Sequence, residues 1–325
     1  MRKFDITTIG TATHDIFLRT DNIKIIHDHK YATGEAGCFA WGSKIDIGQI
    51  AFDTGGGATN TAVSFSRQGL YTGIITKIGV DDSHGVSIIQ SLKKEMVSTG
   101  QICFDRHRQT GLSVILLSSG GERTVLVYRG ASADIQPGDI ARHKLNTAWL
   151  YVTSLGGRLD TLRYIWRQAK SKGISIAWNP GGQELAHGLS TLKPLLAQCQ
   201  IINLNVEEFN KLFRNRTDII KALPKIQKFF KANLIITRAA KGALLVSQGR
   251  IYAALPRDIK IVNELGAGDA FGSGYVGEFI KTGDIKKSLA FASLNAESVI
   301  QHIGAKHGLL HKAANLHKIK IKIIS

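Results

Sequence analysis

What the 325-residue chain has little of already excludes several classes of protein. Its three cysteines, Cys38, Cys103 and Cys199, lie far apart with no CxxC pair. A disulfide framework and a cysteine-rich zinc site are excluded, and the usage suits a reducing cytoplasm. No stretch approaches about 18 uninterrupted apolar residues, so no transmembrane helix and no membrane partner are expected. The start, MRKFDITTIG, is basic but is broken by Asp5 and its threonines, and reads as a first strand rather than a signal peptide. No Walker A sequence occurs, which removes the P-loop as a source of phosphate chemistry. Two histidine groups, His302, His307 and His311, and His27 with His29, lack companion ligands at metal spacing. Acid is also short, with 25 Asp and Glu against 42 Lys and Arg, a net charge of +17. Such a surplus attracts polyanions. Yet the basic residues are scattered, as in Lys221, Lys225, Lys228 and Lys231, with no long run and no interleaved aromatics. A basic proteome together with a phosphate-bearing substrate therefore explains the charge better than nucleic acid does.

With 43% hydrophobic residues the chain can bury a sizeable core, as about two domains or one large one with an insertion. Short β-branched runs alternate with helical patterns. Strands are predicted at 4–9, 72–78, 147–152, 174–178, 200–203 and 234–237, and helices at 58–68, 83–97, 159–172 and 218–231. Alternation of this kind predicts an α/β fold with a mostly parallel sheet covered on both faces. Two regions break the rhythm. Residues 15–54 hold strand-like pieces without a convincing amphipathic helix. Residues 112–129 read as a hairpin turning at Ser119-Gly120-Gly121. Together they predict a small β-layer, a lid or a dimer surface. The expected division is a core of 1–14, 55–105 and 131–325 and a lid of 15–54 and 106–130. After residue 233 come antiparallel strands at 242–247 and 250–255, a strand at 259–262, and helices to about 281 and over 285–300. The tail 318–323 alternates lysine and isoleucine, as a protected edge strand does.

The loop Asn263-Glu264-Leu265-Gly266-Ala267-Gly268-Asp269 feeds a helix. Free amides at a helix start, with the helix dipole, make an anion site, and glycines allow close approach. A dinucleotide fingerprint fits poorly, because the spacing is not GxGxxG and Asp269 would repel a resident pyrophosphate. Asp269 suits a transient anion instead. It can take the proton of an attacking hydroxyl while the amides of Gly266, Ala267 and Gly268 shelter the charge on the transferring group. The same residues also suit an ordinary glycine-rich helix start.

A second cluster, Gly55-Gly56-Gly57-Ala58-Thr59-Asn60, opens another helix. Its glycines admit a polyhydroxy ligand to the backbone, and Asn60 can both donate and accept. Asp15, just after the first strand, can accept two hydroxyl hydrogen bonds. With these residues in place the chain resembles the PfkB, or ribokinase-like, family of carbohydrate and nucleoside kinases. Gly10–Asp15 resembles the first substrate-binding segment, Gly55–Asn60 the sugar motif, and Gly79-Val80-Asp81-Asp82 with Gly85 the G-x-D-x-x-G segment. Asn205-Val206-Glu207-Glu208 resembles N-x-x-E, Thr237 with Gly242 the nucleotide edge, and Gly266–Asp269 the GAGD signature. The resemblance implies a three-layer α/β/α core with a β lid. It implies ATP and magnesium, transfer of the γ-phosphoryl group to an alcohol, and Asp269 as base. It places Asn205, Glu208, Thr237, Gly242 and Asn295 on the nucleotide, with Glu208 holding the metal through water.

Two departures stand out. The family's Asp-Thr ahead of GAGD is Asn263-Glu264 here, which leaves a monovalent cation in question. The glycine usual at the third position of Thr237-Arg238-Ala239 is alanine. Which sugar, nucleoside or sugar phosphate is taken stays open. Arg129, after the hairpin, is a candidate for a substrate phosphate or carboxylate, and Asn179 sits at a strand end where α/β ligands bind. Phe17, Phe39 and Trp41 suit either base stacking or packing between lid and core. A homodimer through lid strands is a further expectation.

Overall fold

A computed structural model describes residues 2–31, 34–117, 123–215, 217–311 and 316–324. The chain begins with β1 (Phe4–Ile9), then β2 (Thr13–Arg19), β3 (Lys24–His27), β4 (Glu35–Cys38) and β5 (Gln49–Gly55), before helix α1 (Gly57–Arg67). Next come β6 (Thr72–Ile75), β7 (Lys77–Gly79), α2 (Ser83–Lys94), β8 (Cys103–Asp105), β9 (Gly111–Leu117) and β10 (Arg123–Tyr128). The middle alternates α3 (Pro137–Ala141), β11 (Thr147–Val152), α4 (Leu159–Lys172), β12 (Ser175–Trp178), α5 (Gly182–Leu185), α6 (Gly188–Leu196) and β13 (Ile201–Asn205). It continues through α7 (Val206–Phe213), α8 (Ile219–Gln227), β14 (Asn233–Thr237), β15 (Ala243–Ser247) and β16 (Arg250–Ala254). Helices α9 (Ala267–Thr282) and α10 (Ile285–Val299) and strand β17 (Ile321–Ile323) end the described chain.

The large sheet has the order β17-β16-β15-β14-β13-β12-β11-β1-β6. From β14 through β13, β12, β11 and β1 to β6 the strands are parallel, while β15, β16 and β17 add antiparallel pairs. Side chains alternate across it with the strand period of two. Ile202, Leu204, Leu234 and Ile236 pack with Trp166, Leu192, Phe209 and Leu223 of α4, α6, α7 and α8. The intervening Ile201 and Ile235 pack with Phe271, Tyr275 and Leu289 of α9 and α10. Helices α1 and α2 extend that second layer over β6 and β7. The sheet is thus buried on both faces, which is why its strands carry so little charge.

The two irregular regions meet in a separate sheet of order β10-β9-β2-β5. Strand β9 pairs parallel with β2 and antiparallel with β10. The hairpin expected over 112–129 is therefore present, while its turn residues 119–121 lie outside the described residues.

Several boundaries differ from expectation for local reasons. The run 72–78 divides into β6 and β7, and β7 turns away to pair with β8. Helix α2 stops at Lys94 because Met96 takes φ +56°. Helix α8 stops at Gln227, short of Lys231. The strand expected at 259–262 does not form. Arg257 is held by Glu297 through its backbone N–H (3.2 Å) and Nε (2.6 Å), and the amides of Val262 and Asn263 donate to the carbonyl of Ile300. These bonds fasten the segment to the end of α10 rather than to a strand.

Candidate active site

The first turn of α9 is shaped by its glycines. Gly266 has φ +80° and lies against Ala305, whose Cβ would stand 2.5 Å from a Cβ at 266. Conformation and space both demand glycine there. The Ala267 amide donates to the carbonyl of Glu264 at 3.2 Å. Ala267 is therefore removed from the expected anion hole, because its donor closes the turn. The amides of Gly266, Gly268 and Asp269 have no hydrogen-bond partner among the described residues, and Gly268 is exposed.

The second glycine cluster lies opposite. Gly56 takes φ +94°, the Gly57 amide donates to Thr11 Oγ1 (3.1 Å), and the Ala58 amide donates to the Thr11 carbonyl. The exit of β1 thereby anchors the start of α1. Helices α1 and α9 pack directly, and Asn60 Nδ2 donates to Asp269 Oδ2 at 2.9 Å. Asn60 is 5% exposed, and its Oδ1 is buried without a partner among the described residues. Asp269 is half-buried and keeps part of its surface open. Burial pushes its carboxyl above the usual carboxylate range, against the Asn60 hydrogen bond and the Lys306 ammonium, which hold it down. A carboxylate raised by burial is a stronger base than a solvated one.

Asp15 lies on β2 directly opposite Asp53 of β5. Thr13 Oγ1 donates to Asp15 Oδ1 at 2.9 Å. Burial raises the Asp15 carboxyl, with the Thr13 and Ser113 hydroxyls and Lys306 working against it and Asp53 adding to it.

Asn205 and Thr237 are register partners at the C-terminal ends of β13 and β14. Asn205 and Glu208 form a capping box. The Glu208 amide donates to Asn205 Oδ1 and the Asn205 amide to Glu208 Oε2, each at 2.8 Å. The N-x-x-E spacing is thus first of all the start of α7. Glu208 is raised by burial, with Glu207 and Asp269 adding to it. Its capping bond uses Oε2 and leaves Oε1 to accept from a metal-bound water, so the pair fits a magnesium ion carried by a nucleotide. Thr237 Oγ1 donates to the Leu204 carbonyl (3.5 Å). Gly242, at φ +74°, packs on the Ala254 carbonyl and Pro256. Asn179 Nδ2 donates to the Asn203 carbonyl (2.9 Å) at the neighbouring strand end.

Other expected residues fall elsewhere. Asn295 is fully buried, and its Nδ2 donates to the Ala270 carbonyl while its Oδ1 accepts from the Leu310 amide. With both polar groups tying α10 to α9 and to the chain beyond, it is corrected from a nucleotide contact to a packing residue. Arg129 is exposed, without a side-chain partner among the described residues. Phe17 is buried, but Phe39 and Trp41 are exposed, so packing against the core is corrected for those two.

The departures at 263 and 264 have structural partners. Asn263 Oδ1 accepts from the Leu265 amide and from Nη1 of Arg123 on β10, each at 3.0 Å, and Glu264 turns outward to within 3.9 Å of Arg123. Ala239 has φ +47°, so alanine occupies a left-handed position where glycine would be unstrained. The sequence reading missed Asn203 and Tyr151. Both face Gly272 of α9, where a Cβ would strike the Tyr151 hydroxyl and stand 2.7 Å from Asn203 Nδ2. A polar residue at an inward position of an apolar strand was the available signal for Asn203. Arg123 and Lys306 carried no signal in the sequence.

The sequence profile of the pfkB family carbohydrate kinases matches residues 31–312. An ATP-dependent ribose-1-phosphate kinase of Halopiger xanaduensis is 25% identical over 289 residues, 89% of each chain. A ribokinase of Bacillus subtilis is 26% identical over 258 residues, covering 78% of this chain and 84% of that one. Among solved structures, a putative ribokinase II from E. coli superposes with a TM-score of 0.78 at 17% identity, over 97% of each chain. Arabidopsis thaliana ribokinase complexed with ribose and ATP superposes with 0.77 at 18% identity, over 96% of this chain and 97% of that one. With a ribokinase-like fold, its two glycine turns facing one another and a family profile running across most of its length, the chain is a phosphotransferase that belongs to the pfkB family of carbohydrate kinases.

Proposed function

We propose that the protein is an ATP-dependent kinase that transfers the γ-phosphoryl group to a hydroxymethyl of a sugar or related polyol. The observation that carries this reading is the hydrogen bond between Asn60, on the sugar-side turn, and Asp269, on the anion-side turn. An acceptor held by Asp15, Gly56, Gly57 and Asn60 would lie beside the base and below the free amides of Gly266 and Gly268. Asp269 takes the hydroxyl proton as the new oxygen–phosphorus bond forms. The bond from phosphorus to the β-phosphate oxygen breaks and ADP leaves. Positioning and charge stabilisation supply most of the acceleration in such transfers. Asn205, Glu208, Thr237 and Gly242 form the nucleotide edge. A magnesium ion held there through water on Glu208 would neutralise phosphate charge.

The small sheet, carried on 15–54 and 106–130, acts as a lid that excludes water, the competing acceptor. Its outer strand β10 is exposed along its whole length, and Ile50, Phe52 and Leu126 are exposed apolar side chains on one face of the sheet. This face suits pairing of two chains through their lids. A second reading, a sugar-phosphate acceptor, is favoured by Arg123, which brings a guanidinium from the lid to the catalytic loop. The cytoplasm suits a chain whose described helices include none long and apolar enough to cross a membrane.

The test is a panel of ribose, fructose, 2-deoxyribose, adenosine and the sugar phosphates with ATP and magnesium. It reads thermal shift first and ADP formation second, since a ligand of the folded state raises its apparent stability. Acceptor-dependent ADP formation supports the reading, and its absence with every acceptor refutes it. Repeating the active pair with and without potassium decides the monovalent cation.

A further inference from the structure

The loop after α10 is wedged between the two halves of the site, and successive residues touch different parts of it. Gly304 lies against Asp53, whose carboxylate a Cβ at 304 would strike. Ala305 lies on Gly266 of the catalytic turn. Lys306 turns inward and is 5% exposed. Its Nζ donates to the carbonyl of Thr54 and, at 2.6 Å, to Thr54 Oγ1. Thr54 is the residue immediately before the Gly55–Gly57 turn. Arg67 fastens the wedge from behind. Its Nη1 donates to the carbonyls of Lys306 (3.0 Å) and Leu309 (3.1 Å), and its guanidinium pairs with Glu95.

Three carboxylates share this interior. Asp15 and Asp53 are cross-strand neighbours, an arrangement that like charges disfavour. Asp269 is the third. The lysine counters the burial of Asp15 and of Asp269, while Asp53, Asp15 and Glu95 in turn favour its proton and Arg67 opposes it. His307 approaches Asp53 at 3.8 Å from the surface, and His311 acts on Glu95. A buried ammonium without such partners would be expelled or neutralised.

We propose that Lys306 is a positioning residue for phosphoryl transfer, supplying the counter-charge that Asp15 and Asp269 share and tying the sugar-side turn to the catalytic loop through Thr54. The proposal rests on the kinase reading above. Lys306 touches neither the acceptor nor the nucleotide, and it acts through Thr54 and the two carboxylates. Burial brings its ammonium down to about 8, so ordinary buffers can remove the charge. Above that pH the ammonium is lost, and Asp15 and Asp269 lose their shared counter-ion.

Two measurements test this. The first is the pH profile of kcat/KM, from pH 5.5 to 9.5, for the wild type, Lys306→Met and Lys306→Arg with the best acceptor. The wild type is expected to lose activity above about pH 8. Lys306→Met is expected to lack that alkaline limb, to have its acid limb moved upward by about one pH unit, and to turn over about tenfold more slowly at pH 7. Lys306→Arg, which keeps its charge, is expected to have no alkaline limb and an unshifted acid limb. The second is NMR titration of the lysine ε-carbons in the unliganded wild type, with Lys306→Arg used for assignment. A Lys306 resonance titrating near pH 8 supports the proposal, and one titrating above pH 10 overturns it. A Lys306→Met enzyme that is merely less stable, with both limbs of the wild-type profile unchanged, also overturns it. If the wild type forms no ADP with any acceptor, the kinase reading falls and this proposal with it, whereas an active wild type with an unmoved profile refutes the lysine's role alone.

Discussion

Replacing Asp269 separates the chemistry of this site from its architecture. In Asp269→Asn an oxygen remains to accept from Asn60 Nδ2, so the 2.9 Å bond between the two turns can persist. What is lost is the base. General-base catalysis contributes about 10²- to 10⁴-fold, equivalent to roughly 3–5 kcal/mol of transition-state stabilisation. Turnover should fall by that factor while affinity for an ATP analogue stays within about threefold of the wild type, a difference under 1 kcal/mol. Stability should move the other way. Burial raises the folded-state pKa of Asp269 above its unfolded value. Its contribution to stability is full below the unfolded pKa and is lost as pH rises through the folded one, so at neutral pH the ionised side chain is a net cost. Asp269→Asn removes that cost, and its melting temperature at pH 7 should exceed that of the wild type. Asp269→Ala is different, because it strands Asn60. Asn60 Oδ1 already lacks a partner among the described residues, and an unpaired Nδ2 beside it should cost about 1–3 kcal/mol. Steady-state kinetics, isothermal titration with the analogue and calorimetry at pH 5 and pH 7 read all three quantities. Turnover within about threefold of the wild type in Asp269→Asn would refute the assignment of the base. A melting temperature lowered as far as in Asp269→Ala would refute the account of the carboxylate's burial.

Three further outcomes are expected. Gly266→Ala forces a Cβ to within 2.5 Å of Ala305 at φ +80°. It should destabilise the fold by about 1–3 kcal/mol in urea unfolding and abolish turnover, and full activity would show that this turn is not the anion site. Ala239→Gly relieves an alanine held at φ +47°. It should stabilise by about 0.5–1 kcal/mol, and a loss of stability would mean that the strain is compensated elsewhere. Arg123→Met breaks the 3.0 Å bond from β10 to Asn263, a half-exposed contact worth about 1 kcal/mol. KM for the acceptor should rise about threefold to fivefold with kcat nearly unchanged. A fall in kcat by about a hundredfold would instead make Arg123 a contact to the transferring phosphoryl group.

The parts of this architecture that local sequence determines were legible in it. β1, β11 and α4 carry their own periodicity and punctuation, and their expected limits coincide with the observed ones. The two glycine turns were legible because each needs a backbone that only glycine adopts freely. Gly56 and Gly266 both have positive φ and no room for a side chain. Elements whose ends depend on distant partners were not legible. The run at 259–262 looks like a strand until its two ends are tied to α10, Arg257 just before it by Glu297 and Val262 with Asn263 by the Ile300 carbonyl. Asn295 looks like a ligand residue until α10 packs on α9 and uses both ends of its amide. Asn205 and Glu208 show how one spacing can serve two ends. The three-residue separation that caps a helix also leaves a carboxylate oxygen at the C-terminal edge of the sheet, so local pattern alone could not separate cap from site. Lys306 is the extreme case. No neighbour in sequence predicts a buried ammonium there, and its environment is assembled from β2, β5, α1, α9 and Glu95 just past α2. Charge placement in a protein interior is a long-range property. Residues that tune a catalytic carboxylate from a distance therefore escape a reading that finds the carboxylate itself at once.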